Sequence, residues 1–346
     1  MFLVKSSIME INFQGPNKQQ NFPDDIEIFP NQVAGHRHGQ GRLGLGILKN
    51  KSGHVLKPLF EDAGRGVKEI SFYENVFHHN HSDPIIEELR SFLPVYHGIQ
   101  DIYIRSKNIK YLCLEDVSET FQNPSILDVK IGPITYEKEA SASKIKEQKS
   151  KYLYGEVCGF RILGMKVYDE EKQLHVSQEK PFFRQLSPDT MASALDLFLT
   201  KDKFINSLIL CGFIHKLLKL DNWFSRQRKF IFVGSSLLFI YEGTSSFWKT
   251  WIYDKGLHCS NSIKNSVVEH NIPDIHRNLV NTDMCVFCGL DKNICTEVLN
   301  CNLFRVNMID FAHSSPSEEK DMNYIIGLNK LIDYLKGLLK VHLQNS

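Results

Sequence analysis

Between Pro124 and Gly132 the chain has little freedom of secondary structure. The run Pro124-Ser125-Ile126-Leu127-Asp128-Val129-Lys130-Ile131-Gly132 sets Ile, Leu, Val and Ile between a proline and a glycine, the composition of a strand with turn residues at its ends. Side chains alternate faces along an extended backbone, so Asp128 and Lys130 point to one side. An acid that holds a hydroxyl beside a cation that offsets a moving phosphoryl charge is what phosphoryl transfer asks of a protein. The same spacing also describes an exposed, salt-bridged pair on an edge strand.

Composition narrows the setting. The 346 residues are 42% hydrophobic and 23% charged, as in an ordinary globular protein. Lysine plus arginine (41) nearly equal aspartate plus glutamate (40), so there is no global positive field for nucleic acid, and anion binding must come from a local cluster. No apolar run reaches the length of a membrane span, and the residues after Met1 lack the pattern of a signal peptide. Of eight cysteines, Cys113, Cys158 and Cys211 lie in apolar segments and five fall between Cys259 and Cys301. That usage points to a reducing compartment, cytoplasm or nucleus.

Along the chain, residues 1–30 are a polar, flexible lead-in. Residues 31–117 read as a small lobe of antiparallel sheet with one helix: strands over Leu43–Leu48 and Val55–Phe60 joined at Asn50-Lys51-Ser52-Gly53, a helix over Val67–Phe77, and strands at Ile102–Ile104 and Lys110–Leu114. Residues 118–346 form a larger lobe. Ser187-Pro188 starts a helix there, with serine as cap and proline at the first helical position. Helices over Asp189–Leu199, Lys203–Leu218 and Asp321–Leu343 accompany strands within Phe230–Tyr241 and over Asn302–Asp310. Polar residues, histidines and cysteines scattered over 247–300 read as a loop insertion.

Several residues fit one chemistry in their order. Lys57 on a strand, with Glu69 about a dozen residues on in the next helix, matches the lysine that kinases orient with a helix carboxylate onto nucleotide phosphates. Leu114-Glu115-Asp116-Val117 reads as a hinge whose backbone meets adenine. Lys144, Gln148 and Lys151 recur at i, i+4 and i+7, within a stretch holding five lysines against two glutamates, and suit a ligand bearing several phosphates and hydroxyls. Met308-Ile309-Asp310-Phe311-Ala312-His313 delivers a carboxylate at the end of an apolar strand, where magnesium on ATP phosphates would be held, unless Asp310 is only a helix cap. Gly39-Gln40-Gly41-Arg42-Leu43-Gly44 matches GxGxxG but precedes a hairpin, so it is a turn or a flap and not a dinucleotide-binding fingerprint.

Taken together, Pro124–Gly132 resembles the P-x-x-x-D-x-K-x-G signature of the inositol polyphosphate kinase family, Ser235-Ser236-Leu237-Leu238 its S-S-L-L element, and Ile309–His313 its I-D-F-A-H element. Gln32-Val33-Ala34-Gly35-His36 and Leu163-Gly164-Met165-Lys166-Val167-Tyr168 look most like the multikinase branch. The resemblance implies an α+β, two-lobed kinase-like fold: a small antiparallel-sheet lobe with one helix, a larger α/β lobe, and ATP in the cleft. By motif position Lys57 and Glu69 serve the ATP phosphates, Glu115 and Val117 the adenine, Asp310 the Mg2+, and Asp128 the ribose or the accepting hydroxyl. Lys130 would be the main catalytic cation, with Lys144, Gln148, Lys151 and His313 on the inositol side and Lys180 and Arg184 as further phosphate contacts. The implied substrates are inositol trisphosphate and tetrakisphosphate, with a phosphoinositide head group as another acceptor; a narrower trisphosphate 3-kinase or hexakisphosphate kinase, or a non-catalytic scaffold, are the rivals. A monomer that binds no nucleic acid is expected. Glu147 departs from the glutamine of several relatives. Cys285, Cys288, Cys295 and Cys301 form a C-x2-C-x6-C-x5-C run that either holds zinc or is incidental to a loop.

Overall fold

The computed structural model describes residues 23–35, 38–39, 44–59, 64–77, 82–104, 106–257, 285 and 290–344. The first strands are β1 (Ile26–Ile28), β2 (Leu48–Asn50) and β3 (Val55–Pro58). They are followed by α1 (Arg65–Phe77), α2 (Pro84–Arg90) and the hairpin of β4 (Tyr96–Ile104) and β5 (Lys107–Leu114). These strands form an antiparallel sheet in the order β1-β2-β3-β5-β4. The β2–β3 turn closes where the sequence placed it: Gly53 N–H donates to the Asn50 carbonyl at 3.0 Å, and His54 N–H to the Asn50 side chain at 3.0 Å. Two helices stand where one was expected, because Asp83 caps α2 by accepting from Ile85 N–H, with Pro84 at the first helical position. Of the GxGxxG stretch, Gly39 N–H donates to the Gly44 carbonyl at 2.9 Å, as a turn would, and residues 40–43 lie outside the described residues.

The chain continues through β6 (Pro124–Ile131), α3 (Ala142–Ser150), α4 (Gly155–Cys158), β7 (Phe160–Asp169), β8 (Leu174–Glu179), α5 (Lys180–Phe183) and α6 (Pro188–Asp196). After these come α7 (Lys203–Arg226), β9 (Phe230–Phe232), β10 (Ser236–Glu242), α8 (Ser245–Asp254) and α9 (Lys292–Leu299). The last elements are β11 (Phe304–Ile309), β12 (Ser314–Pro316) and α10 (Met322–Gln344). The second sheet, also antiparallel, has the order β11-β10-β6-β7-β8. The architecture is thus α+β, as expected.

Local chemistry explains the helix starts. Ser187 N–H donates to the Thr190 hydroxyl at 2.9 Å to open α6, and Asp202 accepts from the N–H groups of Phe204 and Ile205 at 3.0 Å to open α7. α7 runs a further two turns past Leu218, since Leu220, Trp223 and Phe224 are fully buried in the core it shares with α10. Each such side chain stabilises the fold by about 1.5–3 kcal/mol.

The stretch 247–300, read from sequence as a loop insertion, is helical at both ends. Trp248 of α8 is fully buried and donates from Nε1 to the Glu242 carbonyl at 2.8 Å; Ile294 and Val298 of α9 are buried four residues apart on one face. A high share of polar residues concealed two short amphipathic helices.

The segment 115–123 joins the two sheets and is held firmly. Asp116 accepts from Lys49 Nζ at 2.8 Å and from Ser118 Oγ at 2.6 Å, while the buried Glu242 carboxylate accepts from the N–H groups of Gln122, Asn123 and Thr244. Asn31 bonds the Ser118 hydroxyl at 2.9 Å, which draws the N-terminal segment over the joint.

Candidate active site

The register of the second sheet assembles a row of residues from separate parts of the chain. Lys130 on β6 lies opposite Arg161 on β7 and Ser236 on β10, and Ser236 lies opposite Ile309 on β11. Asp310, the next residue, leaves the strand with φ +66. A non-glycine residue in this region is strained by about 1–3 kcal/mol and persists only where its surroundings insist on it. They do so here. Phe311 is buried against Phe72, Tyr73 and Phe232, and its N–H donates to Glu69 Oε1 at 3.0 Å. Gly132, the last residue of the signature, has φ +101, and a Cβ there would lie 2.4 Å from the Asn323 side chain.

Lys57 ties the two sheets together. Its Nζ lies 2.7 Å from Glu69 Oε1 and 2.6 Å from Asp310 Oδ1, joining β3, α1 and the end of β11. Glu69 is only 4% exposed on the inner face of α1. Burial works against the Lys57 charge, but Asp310 and Glu69 outweigh it and raise its pKa above the ordinary lysine value. Burial also works against the Asp310 carboxylate, and Lys57 and Lys130 more than compensate, leaving its pKa below the usual range.

Asp128 behaves in the opposite way. Its carboxyl is 4% exposed, and Oδ1 has no hydrogen-bond partner among the described residues. Burial, reinforced by the charge of Asp310, pushes its pKa up to about 7. Lys130 donates from Nζ to the Gly234 carbonyl, and burial brings its pKa down to about 8 against the pull of Asp310 and Asp128. Two carboxyls with opposed tendencies thus sit beside a lysine that titrates near neutrality, a pattern concentrated at functional sites.

Beside these groups lies a cleft between the two sheets. Val33, Val55, Leu114, Ile126, Leu238 and Ile240 supply apolar walls, while Lys57, Glu69, Asp128 and Asp310 lie among its lining. Glu115 and Val117 line it as well. The Glu115 N–H is spent on the Val95 carbonyl at 2.8 Å and its side chain on Arg305 at 2.7 Å, so its contribution to a ligand is the backbone carbonyl. Neither that carbonyl nor the Val117 N–H is hydrogen-bonded among the described residues. The pair offers one acceptor and one donor to a planar heterocycle.

The polar side chains of the cationic helix α3 face different neighbours. Gln148 lines a groove with Gly132, Lys146, Lys149 and Arg161, and Lys144 and Lys151 do not. Those two lysines grip Glu147 instead, at 3.0 and 2.8 Å. Hydrogen bonds from Lys151 and Lys144 bring the Glu147 pKa down to about 2. His313 lies 3.3 Å from Glu137, which also pairs with Lys68 at 2.7 Å. Burial lowers the His313 pKa despite Glu137, which favours the neutral imidazole. Sequence reasoning missed Arg161, whose Nε is buried without a partner among the described residues, and it missed Glu137. Lys180, noted in the sequence, acts by charge on both Asp128 and Asp310. His36 lies outside the described residues.

The chain as a whole has counterparts among known proteins. The profile of a family described as inositol polyphosphate kinase matches residues 111–336. The chain belongs to the inositol polyphosphate kinase family. It is 30% identical to the human inositol polyphosphate multikinase over 89% of this chain and 87% of that protein, and 31% identical to the mouse multikinase over 89% and 91%. Among solved structures, the multikinase Ipk2 of S. cerevisiae in complex with ADP and Mn2+ superposes with a TM-score of 0.55 at 23% identity, over 83% of this chain and 99% of that one. The kinase-like fold and the assignment as a kinase of this family follow.

Proposed function

We propose that this member of the inositol polyphosphate kinase family is a multikinase. It transfers the γ-phosphoryl group of ATP to hydroxyls of inositol trisphosphate and tetrakisphosphate to give the pentakisphosphate, and it also accepts the head group of phosphatidylinositol bisphosphate. The observation that carries this reading is the convergence of Lys57, Asp128, Lys130 and Asp310 beside one cleft, with Asp310 2.6 Å from Lys57. The extent of similarity to proteins named multikinases supports the breadth of acceptor choice.

In this reading the apolar walls take adenine, the Glu115 carbonyl and Val117 N–H fix its edge, and Lys57 meets the phosphates. The carboxylate of Asp310, at the end of β11, is the hard oxygen donor that Mg2+ prefers. Bound magnesium would offset charge on the phosphate oxygens. Lys130 offsets the charge that builds up as the phosphoryl group moves, and Asp128, with a pKa near neutrality, can accept the proton of the attacking hydroxyl. Gln148 and Arg161 bind the acceptor. We place the enzyme in the reducing cytoplasm and nucleus, as a monomer.

The test is a panel of inositol tris-, tetrakis- and hexakisphosphates and phosphatidylinositol bisphosphate vesicles, incubated with labelled ATP and Mg2+ and resolved by chromatography. Conversion of the tris- and tetrakisphosphates to the pentakisphosphate is expected. Exclusive conversion of the hexakisphosphate would defeat the multikinase reading, as would a Lys130→Ala enzyme that keeps wild-type rates defeat the catalytic one.

A further inference from the structure

A second cluster of reactive side chains sits between α7, α9 and residue 285, and none of its members lines the cleft. His215 comes from α7, Cys295 from α9, and Cys285 from the chain as it returns toward α9. Their ligand atoms all lie within 4.8 Å of one another, and both cysteines are buried, at 9% and 5% exposure. We propose that His215, Cys285 and Cys295 bind a structural zinc ion.

The spacing of Cys285 and His215 is that of two ligands on a tetrahedral ion. With Zn–S near 2.3 Å and Zn–N near 2.0 Å, a sulfur and a nitrogen on one zinc lie about 3.5 Å apart and two sulfurs about 3.8 Å apart. Cys285 Sγ and His215 Nε2 are 3.5 Å apart. The imidazole is also oriented for this role: Nδ1 lies 2.9 Å from the Cys211 carbonyl, so Nδ1 carries the proton and Nε2 keeps its lone pair toward Cys285. A backbone carbonyl on the second ring nitrogen is the usual support of a metal-bound histidine. Cys211 Sγ lies 3.7 Å from Cys295 Sγ, far beyond the ~2.05 Å of a disulfide, so Cys295 is not oxidised onto α7.

Charge favours the ion as well. Binding Zn2+ to two thiols and a neutral imidazole releases two protons, and the resulting pair of thiolates with the dication is neutral, which makes burial tolerable. Cys285 opens a C-x2-C knuckle spacing whose second cysteine, Cys288, lies outside the described residues and is not part of the proposed set. Cys301, the last cysteine of the sequence run, is not in the cluster; its sulfur accepts from Leu303 N–H at 3.4 Å.

The ion would fasten residue 285 and α9 onto α7. Gly212 of α7 packs so closely on β11 that a Cβ would lie 2.4 Å from the Phe304 ring, and β11 is the strand that ends at Asp310. Zinc would therefore stabilise the support of the catalytic strand without entering the reaction.

The full chain, purified without chelator, is expected to carry stoichiometric zinc by plasma mass spectrometry, and mercurial titration of its thiols should release it. His215→Ala, Cys285→Ser and Cys295→Ser should each lower retained zinc at least tenfold, while Cys301→Ser and Cys158→Ser retain it. Since these variants could fail to fold, the wild-type chain provides a second measurement. Cobalt exchanged into it should show tetrahedral d–d bands with thiolate charge transfer, and Cys285 and Cys295 should resist alkylation until a chelator is added. A chain that stays zinc-free after reconstitution, full retention in Cys285→Ser and Cys295→Ser, or a Cys211–Cys295 disulfide in peptide maps would overturn the proposal.

Discussion

Asp128→Asn should abolish phosphoryl transfer and yet stabilise the fold. The wild-type carboxyl is buried beside Asp310, and its pKa rises from 3.8 to about 7. A shift of roughly 3 units at about 1.36 kcal/mol each means that ionising Asp128 in the folded state costs about 4 kcal/mol. The amide removes that cost. It also removes an attraction that Lys130 enjoys, so the expected net gain at pH 8 is about 2–4 kcal/mol.

The sign follows from linkage. A carboxyl whose folded pKa lies above its unfolded value costs the wild type stability as pH rises from about 4 to about 7. The gap between variant and wild type should therefore open across that window, reach its full size above pH 7, and shrink by more than half at pH 5. With an unfolding entropy of about 2.1 cal/mol/K per residue, a gain of 2–4 kcal/mol corresponds to a Tm rise of roughly 3–5 °C. Scanning fluorimetry of both proteins at pH 5 and 8 without ligands reads it directly. A variant that melts at or below wild type at pH 8, or by the same margin at both pH values, would refute the argument that burial has raised this carboxyl.

Three further outcomes are expected. The kcat/KM for acceptor should rise with pH through about 7 as Asp128 ionises and fall above about 8 as Lys130 loses its proton; the residual activity of Lys130→Arg should lack the alkaline limb, and a pH profile that keeps it would count against Lys130. Lys57→Met should raise the KM for ATP and lower kcat by about 10²–10³-fold, because Glu69 and Asp310 lose the cation that sets their positions; unchanged steady-state constants would remove Lys57 from the site. Glu147→Gln releases Lys144 and Lys151 from their carboxylate and should lower the acceptor KM by roughly two- to tenfold, with no change in KM for ATP; a higher acceptor KM would mean that Glu147 itself helps to hold the sugar.

What could be read from the chain before its structure follows from the range of the interactions involved. The strand carrying Asp128 and Lys130, the hairpin turn at Asn50–Gly53 and the Ser187-Pro188 helix start rest on residues within a few positions of each other, and each lies where the sequence placed it. The pairing of Lys57 with Glu69 was legible for a related reason, since a strand followed by a helix brings residues about a dozen apart into contact. Arg161 was not legible, because only the β6–β7 register sets it against Lys130, and register is a property of paired strands that neither strand declares alone. The reading of Lys144 and Lys151 as anion-binding residues did not include their local partner. Helical spacing correctly placed them on neighbouring positions, but Glu147 occupies the same face and satisfies both, so a surplus of charge in the sequence is not a surplus at the surface. The cysteine run shows the converse. Its spacing pointed to a ligand set ending in Cys301, yet the chain returns beside α7, where His215 lies seventy residues before Cys285 and meets it at 3.5 Å. A cluster assembled from two helices and residue 285 draws its members from contacts that sequence distance cannot rank, which is why the histidine was invisible in the sequence.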